Sequence, residues 1–371
     1  MEKILFIFKD KPWYINHINI KFSKKFKSKY FFLSNNINIS RNQIVSRINN
    51  IITGYKIKKV FFDVDYTSYI DSNFISKIES ENKIGFSFDT EENLEKIQKI
   101  LSVCTHFLTA EPKFISKFNS KTKSLFFPLE TSELIFKNIK IKKKYDILFF
   151  GEAKGNRINY LNDIYKFKIR KKILINNKNK KDNTKLNKLI NESKIVLNFS
   201  KGISKYSENN YDQFKGRILI SGLAGTFCLS ENYKSSKYIF KKSYPCFNNS
   251  KDLKKTIFNL LVDEIKLKKI TNSFVGNCKN YSDKIYINVI NKFLNKRNKS
   301  KKLEIDLREM MNIVKISSKK NNPKIYIKNI YEILIDLSNS KNSINFLLLI
   351  SSIIIGIFYF IINIKNNLKY R

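Results

Sequence analysis

A chain of 371 residues that is 42% hydrophobic, with 31 Phe and 19 Tyr, is long enough for two domains and too apolar for global disorder. Its formal charge of +40 points to an anionic partner: a membrane surface, a nucleic acid or a phosphate-bearing substrate. Only eight of the 71 basic residues are arginine, and lysine is spread along the whole chain, so compositional bias explains much of the charge and a localised nucleic-acid face is disfavoured.

The first residues, 2–8, are too short for a secretory hydrophobic region, and charged Lys9, Asp10 and Lys11 follow at once. They read as a first strand. Further strands are expected at 30–33, 60–62, 84–88, 106–109 and 124–127, with helices at 42–52, 73–78, 91–101 and 112–118 between them. This alternation predicts βαβ units around a parallel sheet, an N-terminal Rossmann-like domain over residues 1–136. No Gly-x-Gly-x-x-Gly follows the first strand, which argues against a dinucleotide-binding half. Asp63 and Asp65 form an Asp-x-Asp pattern, a weak metal signal on its own. Asp89 closes the strand at 84–88, and either faces a substrate or caps the helix that follows. Glu111, before Pro112, has the same two readings. Cys104, Cys228, Cys246 and Cys278 lack Cys-x-x-Cys spacing, and with only two histidines no zinc site is expected. A reducing environment is expected.

The lysine-rich residues 137–144 read as a linker, after which the rhythm restarts in a second Rossmann-like domain, 145–298. Strands are expected at 146–150, 173–175, 195–199, 227–230 and 237–240, and helices at 157–164, 184–191, 213–223, 250–262, 264–275 and 282–295. Asn198 and Ser200 end the central strand, where an open α/β sheet places its ligand. A polar loop over 201–211 then leads to Asp212 as a helix N-cap, with Arg217 near the helix start in a position suited to phosphate. Gly225 stops that helix or contacts a ligand, or both.

Residues 299–342 read as a lysine- and asparagine-rich helical spacer. Residues 344–364 hold 21 residues without a charge, enough to cross a hydrocarbon core of ~30 Å. The expectation is a single-pass C-terminal anchor. The flanking charge is nearly balanced, so orientation is read from the large basic body, which lacks an export signal and should stay on the cytoplasmic side of the membrane.

Asp212-Gln-Phe-Lys-Gly-Arg217 followed by Gly225-Thr-Phe-Cys-Leu-Ser-Glu231 resembles the signature of the spore-maturation (CgeB-like) group of GT-B glycosyltransferases. Tyr145-Asp-Ile-Leu-Phe-Phe-Gly151 with Arg157 resembles the opening of that group's second domain, and Leu197-Asn-Phe-Ser200 resembles its Leu-Asn-x-Ser strand end. The resemblance covers about 145–295 by motif and 1–140 by architecture. It implies a GT-B fold, with two Rossmann-like domains facing a cleft. It also implies metal-independent sugar transfer from a nucleotide-sugar to a glycan, lipid-linked or protein acceptor. The nucleotide-sugar is then a substrate, and no cofactor is implied.

On this reading Arg217 and Arg157 neutralise the leaving diphosphate, and Gly151 lets backbone approach the donor. Asn198, Ser200 and Gly225 line the donor site, Glu231 accepts from ribose hydroxyls or caps a helix, and Asp89 is the catalytic candidate. The pattern departs at Ile220, where the group usually carries glutamate. That departure motivates a second reading, a catalytically inactive GT-B-like scaffold or binding protein tethered to the membrane.

Overall fold

Hydrophobic alternation and aromatic content build two parallel sheets. A computed structural model describes residues 1–296, apart from 37, 66–68, 130, 154, 168–171, 176–181, 204–209, 234 and 241. The expected spacer at 299–342 and the apolar run at 344–364 lie outside the described residues. Among those described, no helix is long and apolar enough to cross a membrane.

The first half contains β1 (Glu2–Phe8), α1 (Ile15–Phe22), β2 (Phe26–Phe32), α2 (Arg41–Tyr55), β3 (Lys59–Asp63) and α3 (Ser72–Ser76). It continues with β4 (Asn82–Ser87), α4 (Leu94–Ile100), β5 (His106–Thr109), α5 (Ile115–Phe118) and β6 (Lys123–Phe126). Its six strands pair in the order β2-β1-β3-β4-β5-β6, all parallel. Helix α2 starts where local chemistry directs it. Ser40 accepts from the Gln43 amide while the Gln43 side chain accepts from the Ser40 amide, a reciprocal capping box. The core beneath β1 is aromatic: Phe6 stacks on Phe61 at 4.6 Å and meets Phe22 edge-on at 5.3 Å.

The second half contains β7 (Tyr145–Phe150), α6 (Asn156–Lys166), β8 (Lys172–Ile175), α7 (Asn183–Asn191) and β9 (Ser193–Asn198). A short antiparallel hairpin follows, β10 (Lys201–Ile203) with β11 (Asn210–Asp212), and then α8 (Arg217–Leu223) and β12 (Phe227–Glu231). The half ends with α9 (Ser236–Ile239), β13 (Cys246–Phe247), α10 (Ser250–Val262), α11 (Glu264–Lys279) and α12 (Asp283–Leu294). Five strands pair in parallel in the order β13-β12-β9-β7-β8. The residues expected to link the halves are docked. The Lys137 amide donates to Asn187 Oδ1 at 3.1 Å, and the Ile139 amide to Asn191 Oδ1 at 3.0 Å.

Four local expectations differ from the structure. Helix α1 was not anticipated. Residues 237–240 hold a turn of helix, α9, instead of a strand. Part of the loop expected at 201–211 is the β10–β11 hairpin, so Asp212 ends a strand and is not a helix cap. Gln213–Lys215 lie outside any helix or strand, and α8 begins at Arg217 behind Gly216.

The last described helix, α12, returns to the first half. The fully buried Lys21 ammonium of α1 lies 2.6 Å from Asp283 of α12 and donates to Thr131 Oγ1 at 2.7 Å. Tyr286 donates to the Phe126 carbonyl at 2.8 Å. His106 Nε2 lies 3.0 Å from the Lys296 carbonyl, beyond the end of α12.

Candidate functional site

The C-terminal ends of β7, β9 and β12 lie side by side, as parallel pairing requires, and the residues just beyond them carry the polar chemistry. Gly151 follows β7 with φ +119°, a conformation open to glycine and costly for other residues. A Cβ there would lie 2.2 Å from Arg217 Nη2. The missing side chain is therefore the space the guanidinium occupies. Arg217 lies over the rings of Phe149 and Phe150, 4.9 and 5.1 Å from their centroids, and donates to Asn198 Oδ1 at 3.1 Å. Asn198 in turn donates to Ser230 Oγ at 2.8 Å, and its Nδ2 lies 3.3 Å from Ser200 Oγ.

Glu231 is 4% exposed, and its Oε2 accepts from the Ser200 and Lys201 amides at 3.1 and 3.3 Å. It fixes the backbone turn after β9; α9 begins behind Ser235, so Glu231 caps no helix. Its Oε1 is buried without a hydrogen bond, 3.8 Å from the Lys201 ammonium. Arg157, in the first turn of α6, donates to the carbonyls of Glu152 at 3.1 Å and Lys201 at 2.7 Å. Gly151, Arg157, Asn198, Ser200, Arg217 and Glu231 thus form one connected group. Gly225 does not join it. It sits before β12, at the opposite edge of the sheet, with φ +84°, and a Cβ there would meet Asn138 at 2.6 Å. Its place is that of a helix stop.

Across from this group lies the first half. Asp89 follows β4 and accepts from Gln213 Nε2 at 3.4 Å. It does not cap α4, whose N-cap is Asn93. With Trp13, Pro128, Gln213, Lys215 and Gly216 it lines a cavity of about 240 Å³ between the halves. The Lys215 ammonium donates to Gln213 Oε1. Burial lowers the Lys215 pKa to about 8, and Arg157 and Arg217 push the same way, against the pull of Asp89 and Glu91.

Sequence reasoning assigned no role to Lys215 or Gln213, although both stand inside the Asp212–Arg217 motif. It also left open the work of Glu111, which is 1% exposed. Glu111 follows β5, and its carboxylate accepts from the Phe214 amide at 2.7 Å and from the hydroxyls of Tyr233 and Ser235, all in the second half. Lys113 adds a bond to the Asp212 carbonyl at 2.5 Å and an ion pair with Glu91 at 3.0 Å. These contacts hold 212–214 out of the helix and place Lys215 on the cavity wall.

Asp63 and Asp65 serve the loops below the cavity. Asp65 accepts from the Phe88 and Asp89 amides at 2.6 and 3.2 Å and from Ser87 Oγ at 2.5 Å, while Tyr14 donates to Asp63. Burial raises the pKa of both carboxyls; the charge of Asp63 raises that of Asp65 further, and Asp89 pushes both the same way. Among the described residues, no group of three or more His, Cys, Asp or Glu side chains is arranged to hold a metal ion.

Two parallel sheets facing a cleft, with the last described helix crossing back to the first, define the GT-B fold of glycosyltransferases. Solved structures agree at the level of fold. A glycosyltransferase from Rickettsia africae superposes with a TM-score of 0.56 at 11% identity, over 80% of this chain and 99% of its own. The sucrose-phosphate synthase of Thermosynechococcus elongatus gives 0.53 at 8% identity, over 79% and 98%. The Anabaena protein HepE in complex with UDP gives 0.52 at 9% identity, over 80% and 100%. No protein-family model matches this chain, and no curated protein is similar to it in sequence.

Proposed function

We propose that this protein is a glycosyltransferase of the GT-B class that takes a sugar from a nucleotide-sugar and passes it to a glycan, lipid-linked or protein acceptor. One observation carries the reading: Lys215 and Asp89 line one cleft between the halves, and the Arg217 guanidinium, lodged in the space left by Gly151, lies close enough behind Lys215 to help lower its pKa. That is an anion-binding surface opposed by a carboxylate, which is what transfer from a diphosphate needs.

In the proposed reaction the acceptor hydroxyl adds to the anomeric carbon as the bond from that carbon to the β-phosphate oxygen breaks. Asp89 takes the hydroxyl proton. Arg217, Lys215 and Arg157 hold the departing nucleoside diphosphate, with Asn198 and Ser200 beside them. Ribose recognition falls to the unbonded Glu231 Oε1, since Ile220 is 2% exposed and packed in the core. Membership of the CgeB-like group, metal independence, and a cytoplasmic body anchored through residues 344–364 belong to the same proposal.

A second reading, binding without transfer, is favoured by Ile220 alone. The test is release of nucleoside diphosphate from a panel of nucleotide-sugars with mixed acceptors. The proposal expects turnover that drops at least about 10²-fold in Asp89→Asn, the usual size of a general-base effect. Nucleotide-sugar binding with no turnover in any combination would favour the second reading.

A further inference from the structure

We propose that the corner between α10 and α11 is a docking face for an anionic lipid bilayer, separate from the cleft. Helix α10 buries Leu253, Ile257 and Leu260 against the second half, and α11 buries Leu267, Phe274 and Cys278. The outward faces should then be polar, but at the corner they are not. Phe258 is 58% exposed, Val262 68% and Ile265 85%. Phe258 and Val262 are one helical turn apart on α10, and Ile265 opens α11 just beyond them, so the three form one apolar tip.

The same stripes carry charge away from the tip. On α10, Lys251 and Lys255 continue the line of Phe258 and Val262 at spacings of four and three. On α11, Lys268 and Lys269 continue the line of Ile265, with Lys266 beside it, and all five lysines are exposed. The two acids at the corner are engaged: the Asp263 carboxylate accepts from the Lys266 amide at 2.8 Å, and Glu264 pairs with Lys194 at 3.4 Å.

An apolar tip ringed by lysines matches the two layers of a membrane interface. The aliphatic and aromatic groups enter the acyl boundary, and the ammonium groups meet lipid phosphates. A nucleic acid would use the lysines but leave three large apolar side chains against phosphate. The sequence adds a second argument. The uncharged run at 344–364 begins 48 positions after residue 296, so a body anchored there stays beside a bilayer and a weak surface contact becomes effective. The inference does not depend on sugar transfer.

The test uses the full chain in phosphatidylcholine nanodiscs with and without phosphatidylglycerol, and in detergent alone, read by amide hydrogen exchange. Amides of 250–279 should exchange about tenfold more slowly in the anionic discs only, with the protection lost in concentrated salt. Ile265→Asp and Phe258→Ser, both at exposed positions, should each remove the protection and leave exchange in β1 and β9 unchanged. Equal exchange in all three settings overturns the proposal. Protection already present in detergent would assign the face to a segment of this chain, and protection by a short RNA duplex without lipid would assign it to nucleic acid. Either result also overturns it.

Discussion

Arg217 and Gly151 share one volume: the guanidinium lies where a side chain at 151 would begin, 2.2 Å from the position of its Cβ. The prediction is that Gly151→Ala, which deletes nothing, displaces the arginine and weakens nucleoside diphosphate binding by about 10- to 100-fold. That is the equivalent of a charge-assisted hydrogen bond worth ~1.5–3 kcal/mol. Gly54→Ala, at a helical position with open space around it, is the control and should leave affinity unchanged. Titration calorimetry checks both.

Lys215 sets a pH dependence. Its folded-state pKa is lowered to about 8 from 10.5, by burial first and then by Arg157 and Arg217. The charged form is therefore disfavoured in the folded chain. Stability is diminished below about 8 and rises with pH through the window from there to 10.5. Binding runs the other way. A bound diphosphate favours the charged ammonium, so affinity should be full below about pH 8 and fall as pH rises through it, with proton uptake on binding. Lys215→Met should lower affinity and flatten that profile. An unchanged profile in the variant would show that the lysine does not face the ligand.

Glu111 joins the halves, and Glu111→Ala should be the most destabilising change in the cleft. It leaves the Phe214 amide and the hydroxyls of Tyr233 and Ser235 without their acceptor. A loss of about 2–4 kcal/mol is expected from buried groups deprived of a charged partner. Urea unfolding measures it, and a loss within about 0.5 kcal/mol, as for an ordinary surface change, would contradict the latch.

The same latch explains what sequence could and could not reveal. Strands with local signals were legible: β1, β5, β9 and β12 stand where hydrophobic runs and turn residues put them, and α10 matches its expected limits. The polar residues at the ends of β7, β9 and β12 were legible too, because parallel strands deliver their C-terminal neighbours to one edge. The start of α8 was not. Gln213 and Phe214 have ordinary helical character, but Glu111, 103 residues earlier, binds the Phe214 amide, and Phe214 packs on Phe126 at 5.4 Å. Tertiary contact overrides propensity there. Lys215 gained its role by the same route, through neighbours that no local pattern names. Helix α1 was missed because it lacks a side-chain N-cap bond and has no acid in its first turn. It is held instead by the buried Lys21–Asp283 pair, 262 residues apart in sequence.

His106 should govern part of the acid sensitivity. It is held by the Lys296 carbonyl, and burial lowers its pKa to about 4 from 6.5. A base so depressed is neutral in the folded chain while the unfolded chain takes up a proton. Stability is therefore present above 6.5, falls as pH drops toward about 4, and falls no further below it. His106→Gln, which can still donate to that carbonyl, should reduce the slope of unfolding midpoint against pH across this window. An unaltered slope would place the acid sensitivity elsewhere.

The most direct measurement of the central claim is thermal stabilisation of the full chain by UDP-, GDP-, TDP- and CMP-sugars, alongside Arg217→Ala. A ligand at a hundred times its dissociation constant adds about 2.7 kcal/mol, which shifts the midpoint measurably. The account predicts stabilisation by at least one diphosphate-linked sugar, a smaller effect from the monophosphate-linked CMP-sugar, and loss of both in Arg217→Ala. No shift with any of the four, or a shift that survives Arg217→Ala intact, would contradict it.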